Sequence, residues 1–252
     1  MNLGFFKLCK KEQRAFLVLL CFSVLGVLAI IPYTLSVIMP LQEIPSIPAL
    51  IIKNILKGSV FFALLAYLGF LLKRGIPVAG LPFLEEGKPM TLNSIFKFGI
   101  MPGVLGFILI VGLGSLWAQT QQTPPAIHSG EAFYGFLASF YGGIDEEVIS
   151  RFFTMGLLVF LFKKFSNFGL WLSVILAALL FGAGHLPAAV KALNLHSISQ
   201  IPLAVTSQII LPNSIFGVIA GWLYWKKGLE YSMIAHFIAD LGLHVLYPLL
   251  RS

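Results

Sequence analysis

Residues 132–162 read AFYGFLASFYGGIDEEVISRFFTMGLLVFLF, an apolar run with Glu146, Glu147 and Arg151 near its middle. Helices of soluble proteins average about 11–12 residues, whereas a bilayer needs about 20 consecutive apolar ones. The run therefore reads as a membrane helix, longer than one straight span requires. Gly142-Gly143 is expected to bend it, or to split it into an interfacial piece and a span. Ionisable side chains at the centre of a bilayer cost about 2.5–3.5 kcal/mol each on insertion scales. Charges placed there need a reason.

Outward from this segment, further apolar runs fall at about 15–39, 49–72, 95–117, 168–185, 201–225 and 229–249. Turn chemistry separates them: Pro45 and Pro48, the stretch from Gly75 to Pro89, Gln119 to Gly130 with Pro124-Pro125, and Gly228. Asn167 is expected to cap the fifth run. The 252 residues are 58% hydrophobic and 11% charged, against about 25% charged in soluble domains. Mean hydropathy is +0.92. The fold class is all-α, a polytopic transmembrane bundle of about seven to eight spans forming one integral membrane domain over residues 1–252. There is no room for a second, soluble domain.

The net charge is +7, but the cations form no stripe of the kind that binds nucleic acid. They cluster at span ends: Lys7, Lys10, Lys11 and Arg14; Lys73 and Arg74; Lys163 and Lys164; Lys226 and Lys227. With seven spans these clusters share one side with the N-terminus, which predicts a cytoplasmic N-terminus; Lys53, Lys57 and Lys191 lie on or near the other side. The lipid bilayer, not a polyanion, is the expected partner. Cys9 and Cys21 lack metal-site spacing and are not expected to pair. The first run reads as a retained signal anchor, and no lipidation box is visible.

Three clusters carry chemistry. In the first, Glu147 and Arg151 are four apart on one helical face and neutralise each other. Glu146, about 100° round the helix, lacks that partner, and a poorly solvated carboxylate suits a general base near neutral pH. The bland alternative is a loop-end ion-pair cluster. By contrast Glu85-Glu86, in a Pro/Gly-rich loop beside Lys88, reads as solvated. The second cluster is Phe181-Gly182-Ala183-Gly184-His185, whose small residues admit another backbone or a substrate; a lone span-end histidine is otherwise an interfacial anchor. In the third, His236 and Asp240 share a face, so Asp240 can orient His236 or donate a proton; a helix–helix hydrogen bond is the structural alternative. His244 reads as interfacial, and His128 and His196 as loop residues. Together Glu146, His185, His236 and Asp240 make a plausible water-activating site, with no nucleophile elbow, zinc helix or dinucleotide loop competing.

These motifs, Glu146-Glu147-x-x-x-Arg151, Phe181-x-x-x-His185 and His236-x-x-x-Asp240 in that order, resemble the signatures of the CAAX prenyl endopeptidase and bacteriocin-processing (CPBP) intramembrane proteases. The segment from Phe216 to Trp222 and on through Gly228 looks like the family too, and the likeness covers about residues 130–250. It implies an intramembrane glutamate-type endopeptidase of a bacterial or archaeal cell membrane, acting on a peptide or membrane-protein substrate. Glu146 and His185 would activate water, His236 and Asp240 would form the oxyanion side, and Glu147 and Arg151 would support them. No cofactor is expected. A carboxylate with two histidines could hold zinc, but the metal-free reading is preferred because the spacing leaves a glutamate to act as base. Asp240 stands where the prenyl endopeptidases have asparagine. An ionised aspartate would repel an oxyanion, so it must be protonated or serve to orient His236.

Two other classes compete. A non-catalytic scaffold or immunity protein of the same fold would tolerate changes at Glu146. A proton-coupled transporter would show repeated broken helices, and the sequence shows no such repeat.

Overall fold

The computed structural model describes residues 7–38, 46–118 and 132–251; the expected turn at Gln119 to Gly130, Pro45 and His128 lie outside the described residues. Helix α1 (Lys10–Tyr33) is closed by a π turn over Thr34–Ile38. It is followed by α2 (Ile47–Lys73), α3 (92–118), α4 (132–162), α5 (Ser166–Ala183), the short α6 (Leu186–Ala192), α7 (Leu203–Lys226) and α8 (229–251). There is no strand among the described residues.

Six helical segments among the described residues are long and apolar enough to cross a membrane. One of them, Ala132–Ala192, has 61 residues, about 90 Å if straight and far beyond one bilayer. It doubles back at a 3₁₀ turn over Lys163–Phe165, where Ser166 takes φ 52°. The chain therefore makes seven passes, within the expected range. The perimeter is lipid-like: Leu17, Leu25, Leu56, Val60, Leu64 and Ile108 are each more than half exposed. In water such a surface would aggregate; in a bilayer it is solvated.

Two expectations about local structure are corrected. Helix α4 runs through Gly142-Gly143 without a break, widening into π turns at Gly142–Glu146 and Val148–Met155. π turns inside α-helices recur at functional sites. Asn167 does not cap α5, which begins at Ser166 after Phe165 with no side-chain cap.

Small residues set the closest packing. Gly217 of α7 lies against Ala178 of α5, and Gly221, one turn on, faces Val174 and Met155. Gly182 of α5 faces the Ile210 carbonyl of α7. This is the small-xxx-small arrangement by which membrane helices approach backbone to backbone. Val148, Phe152, Met155 and Val159 of α4 are fully buried, so α4 is the central helix.

One end of the bundle is sealed by the loop after α2. Arg74 Nε donates to Glu12 Oε1 at 2.9 Å, Ala79 N–H to the Trp225 carbonyl at 3.1 Å, and Leu229 N–H to Gly80 at 2.8 Å. Glu230 Oε1 accepts from the backbone of Phe83 and Leu84. The turn at Gly228 has φ 118°, and a Cβ there would strike Pro82, so glycine is required. Glu85 is not solvated as expected: Lys73 reaches it at 2.6 Å in a largely buried setting. Burial pushes its carboxyl above the ordinary range against the pull of Lys73. Glu86 is exposed and ion-paired with Lys88 at 2.6 Å, which holds it below that range. Cys9 and Cys21 are both free.

These contacts gather the four basic clusters at one end of the bundle. In a chain with Cys9 and Cys21 changed to serine, single cysteines at Lys88 and Lys164 should label with an impermeant thiol reagent from one side of the membrane. A cysteine at His196 should label only from the other. Opposite labelling of positions 88 and 164 would break the seven-pass arrangement.

Candidate active site

Three successive acids of α4 enter three different environments, because each residue turns the side chain by about 100°. Glu147 points into the bundle and is fully buried. Its Oε1 accepts from His236 Nδ1 at 2.8 Å, and its Oε2 accepts from the Ser232 hydroxyl at 2.5 Å. Arg151 Nε lies 3.5 Å from Oε2, one turn along α4, also fully buried. The expected ion pair is therefore in place. The guanidinium also stacks 4.8 Å from the Phe181 ring centroid, a cation–π contact that partly solvates it where water cannot.

Glu146, about 100° round the helix, faces a space shared with α8 and the turn after α5, with its side chain 27% exposed. Its Oε2 stands 3.7 Å from His236 Nε2 on α8 and 3.9 Å from His185 Nε2 beyond α5. Both imidazoles are fixed from behind. His185 Nδ1 donates to the Phe181 carbonyl at 2.9 Å, the i to i−4 bond that the Phe-x-x-x-His spacing permits, and His236 Nδ1 donates to Glu147. With Nδ1 carrying the proton, each ring turns Nε2 toward Glu146. The Phe181 ring packs edge-on against both histidines, and Phe216 covers His236.

Asp240 is placed differently from the sequence expectation. Its Oδ1 lies 3.7 Å from His236 Nε2, too far for a hydrogen bond, so Glu147 and not Asp240 orients His236. Asp240 instead shares the open side of the site, next to Gly142. A Cβ on Gly142 would collide with Asp240 Oδ2 and stand 3.4 Å from His236 Nε2. Gly143 similarly admits Phe237 and Met233. The glycine pair lets α8 bring His236 and Asp240 up to α4.

Beside Glu146 a cavity of about 210 Å³ opens between α4 and α5, lined by Tyr141, Ile149, Thr154, Leu180 and Phe181 among others, with Glu146 and His185 in its wall. Leu180 in its lining is 56% exposed, one of the apolar side chains of the bundle's perimeter. His244 is partly buried, its ring 5.5 Å from that of Tyr33 and its Nδ1 3.5 Å from the Tyr33 hydroxyl. His196 is a loop residue, its backbone N–H bonded to Gln200.

Sequence reasoning passed over three residues. Asp145 is fully buried, its carboxyl against Gly26 of α1 and beside Ser23, with neither oxygen in hydrogen-bond geometry. A third acid in the same apolar run was the available signal. Ser232, one turn before His236, could have been found as a donor on the same face. Gly142 carried no chemical signal of its own.

A carboxylate and two imidazoles with tied Nδ1 atoms form a donor set that zinc accepts. However, the donor atoms stand 3.7 and 3.9 Å apart, wider than the roughly 3.3 Å edge of a tetrahedron with 2.0–2.1 Å bonds. Among the described residues no group of three or more His, Cys, Asp or Glu side chains is spaced to hold a metal ion. As placed, these residues do not fit a bound ion.

Known proteins bear on this geometry at one point. The family model for type II CAAX prenyl endopeptidases, Rce1-like, matches residues 128–242, a stretch that holds all six of the charged and imidazole residues singled out by motif. No curated protein and no solved structure matches the chain.

Gly142→Ala should push α8 off α4 and lower turnover of any substrate at least tenfold, with a small change in melting temperature. Unchanged turnover would show that the close approach is not needed. Separately, Arg151→Ala strands a buried carboxylate, a loss of about 3–5 kcal/mol. The double change with Glu147→Ala should recover part of it, measured as melting temperature in detergent. A double variant no more stable than the single would mean that the two charges are not coupled.

Proposed function

We propose that this chain, a member of the CAAX prenyl endopeptidase and bacteriocin-processing family over residues 128–242, hydrolyses peptide bonds with a water activated by Glu146. The observation that carries the reading is the convergence of Glu146 Oε2 of α4, His236 Nε2 of α8 and His185 Nε2 of the turn after α5, 3.7 and 3.9 Å from the carboxylate oxygen. That separation is too long for a direct bond and suited to one bridging water.

In this mechanism Glu146 takes a proton from the water, with His185 Nε2 holding the water in line, and the oxygen attacks the scissile carbonyl carbon. The carbonyl oxygen becomes an oxyanion. His236, protonated at both nitrogens, offers it Nε2–H, and the Glu147 carboxylate on Nδ1 stabilises that imidazolium. Asp240 can add a donor only as the neutral acid. Glu146 then returns its proton to the leaving amine as the C–N bond breaks. The cavity beside Glu146 takes the residue next to the scissile bond, which favours an apolar side chain on a peptide delivered from the membrane. The four basic clusters at one end orient the chain with its N-terminus in the cytoplasm.

Glu146→Gln keeps the shape and loses the proton acceptor, so cleavage of a membrane-peptide library should fall by about 10²–10⁴-fold or more, with the melting temperature preserved. His185→Ala and His236→Ala should be similarly inactive, and strong chelators should leave the wild type unaffected. Activity retained by Glu146→Gln would remove the base assignment, whereas a wild type that cleaves nothing and a cellular function untouched by Glu146→Gln would favour a scaffold. Chelator-sensitive activity restored by zinc would make the same side chains metal ligands.

A further inference from the structure

A second cavity, of about 570 Å³, lies at the basic end of the bundle, remote from Glu146. Lys163 and Lys226 line it, with Ser166 and Asn167 at the start of α5 and the apolar Leu170 and Trp225 as its floor. Neither lysine is ion-paired with a carboxylate among the described residues, whereas Lys73, Arg74, Lys88 and Arg151 are. Both stems lie across aromatic rings, Lys163 Nζ 4.0 Å from the Phe160 centroid and Lys226 Nζ 3.7 Å from that of Trp225. Such stacking holds the ammonium groups in place without neutralising them. Two exposed cations stacked on rings, with a hydroxyl and an amide in the same lining, suit an anion carrying several oxygens.

The surroundings identify the source of that anion. The cavity sits where three membrane helices end, at the depth of lipid headgroups, and its floor continues outward as an apolar strip. Phe165 and Phe168 are more than half exposed, and Trp171, partly exposed, packs edge-on against Trp225 at 5.5 Å. A soluble phosphate would use the lysines alone. A phospholipid would use both the lysines and the strip.

We propose that this cavity binds the headgroup of an anionic phospholipid. Its phosphate sits between Lys163 and Lys226, and its acyl chains run along Phe168 and Trp171. Basic pockets between helices on the cytoplasmic side are where such headgroups bind. The site uses no residue of the hydrolytic cluster and stands whether or not that cluster cleaves peptides.

The test is thermal melting of the full chain in a neutral detergent, with phosphatidylglycerol, phosphatidylcholine of the same acyl chains, or inorganic phosphate. Phosphatidylglycerol should raise the midpoint by roughly 5 °C at a hundredfold excess over Kd, and the other two should not. The shift should vanish in the Lys163→Gln/Lys226→Gln double variant and persist in Lys10→Gln/Lys11→Gln, which removes two cations from the same membrane face. An equal shift with phosphatidylcholine, an equal shift with phosphate alone, or a full shift in the Lys163→Gln/Lys226→Gln protein would each overturn the proposal.

Discussion

The carboxylate of Glu147 is the point on which the bundle turns. A charge with no water around it must be answered by partners, and here they are Arg151 as counter-charge on the same helix and Ser232 and His236 as donors on α8. Because both donors come from α8, its docking on α4 is fixed by electrostatics as much as by shape. The glycines at 142 and 143 make that docking sterically possible. The π turns on either side of Glu147 shift the register of α4 just where its side chains change function.

Consecutive acids therefore do different work through their surroundings alone. Asp145 faces α1 and is sealed against Gly26. Glu147 is spent on holding His236. Glu146 lines a cavity, and its carboxylate has no hydrogen bond among the described contacts. Division of labour between neighbouring carboxyls by environment is how enzyme sites separate a base from its supports. The same logic demotes Asp240, which shares a helical face with His236 but cannot reach its free nitrogen, while Glu147 holds the other one.

The two ends of the bundle are unlike. One carries the basic clusters, the loop tied down by Glu12, Glu85 and Glu230, and a cavity whose lysines have no counter-charge among the described residues. The other carries the short α6 and the loop through His196.

The sequence by itself determined a bundle of about seven to eight spans and roughly where each run lies, because lipid leaves a chain no alternative to satisfying its backbone within each apolar run. It also determined the Glu147–Arg151 pair, since that is set by helical spacing within a single element. It did not reveal which group orients His236, that Glu85 is buried, that Asp145 is sealed against α1, or what the glycines at 142 and 143 are for. Each of these depends on a contact between segments distant in the chain. Local periodicity says which face a residue is on, but only the packed bundle decides what stands opposite that face and whether water reaches it.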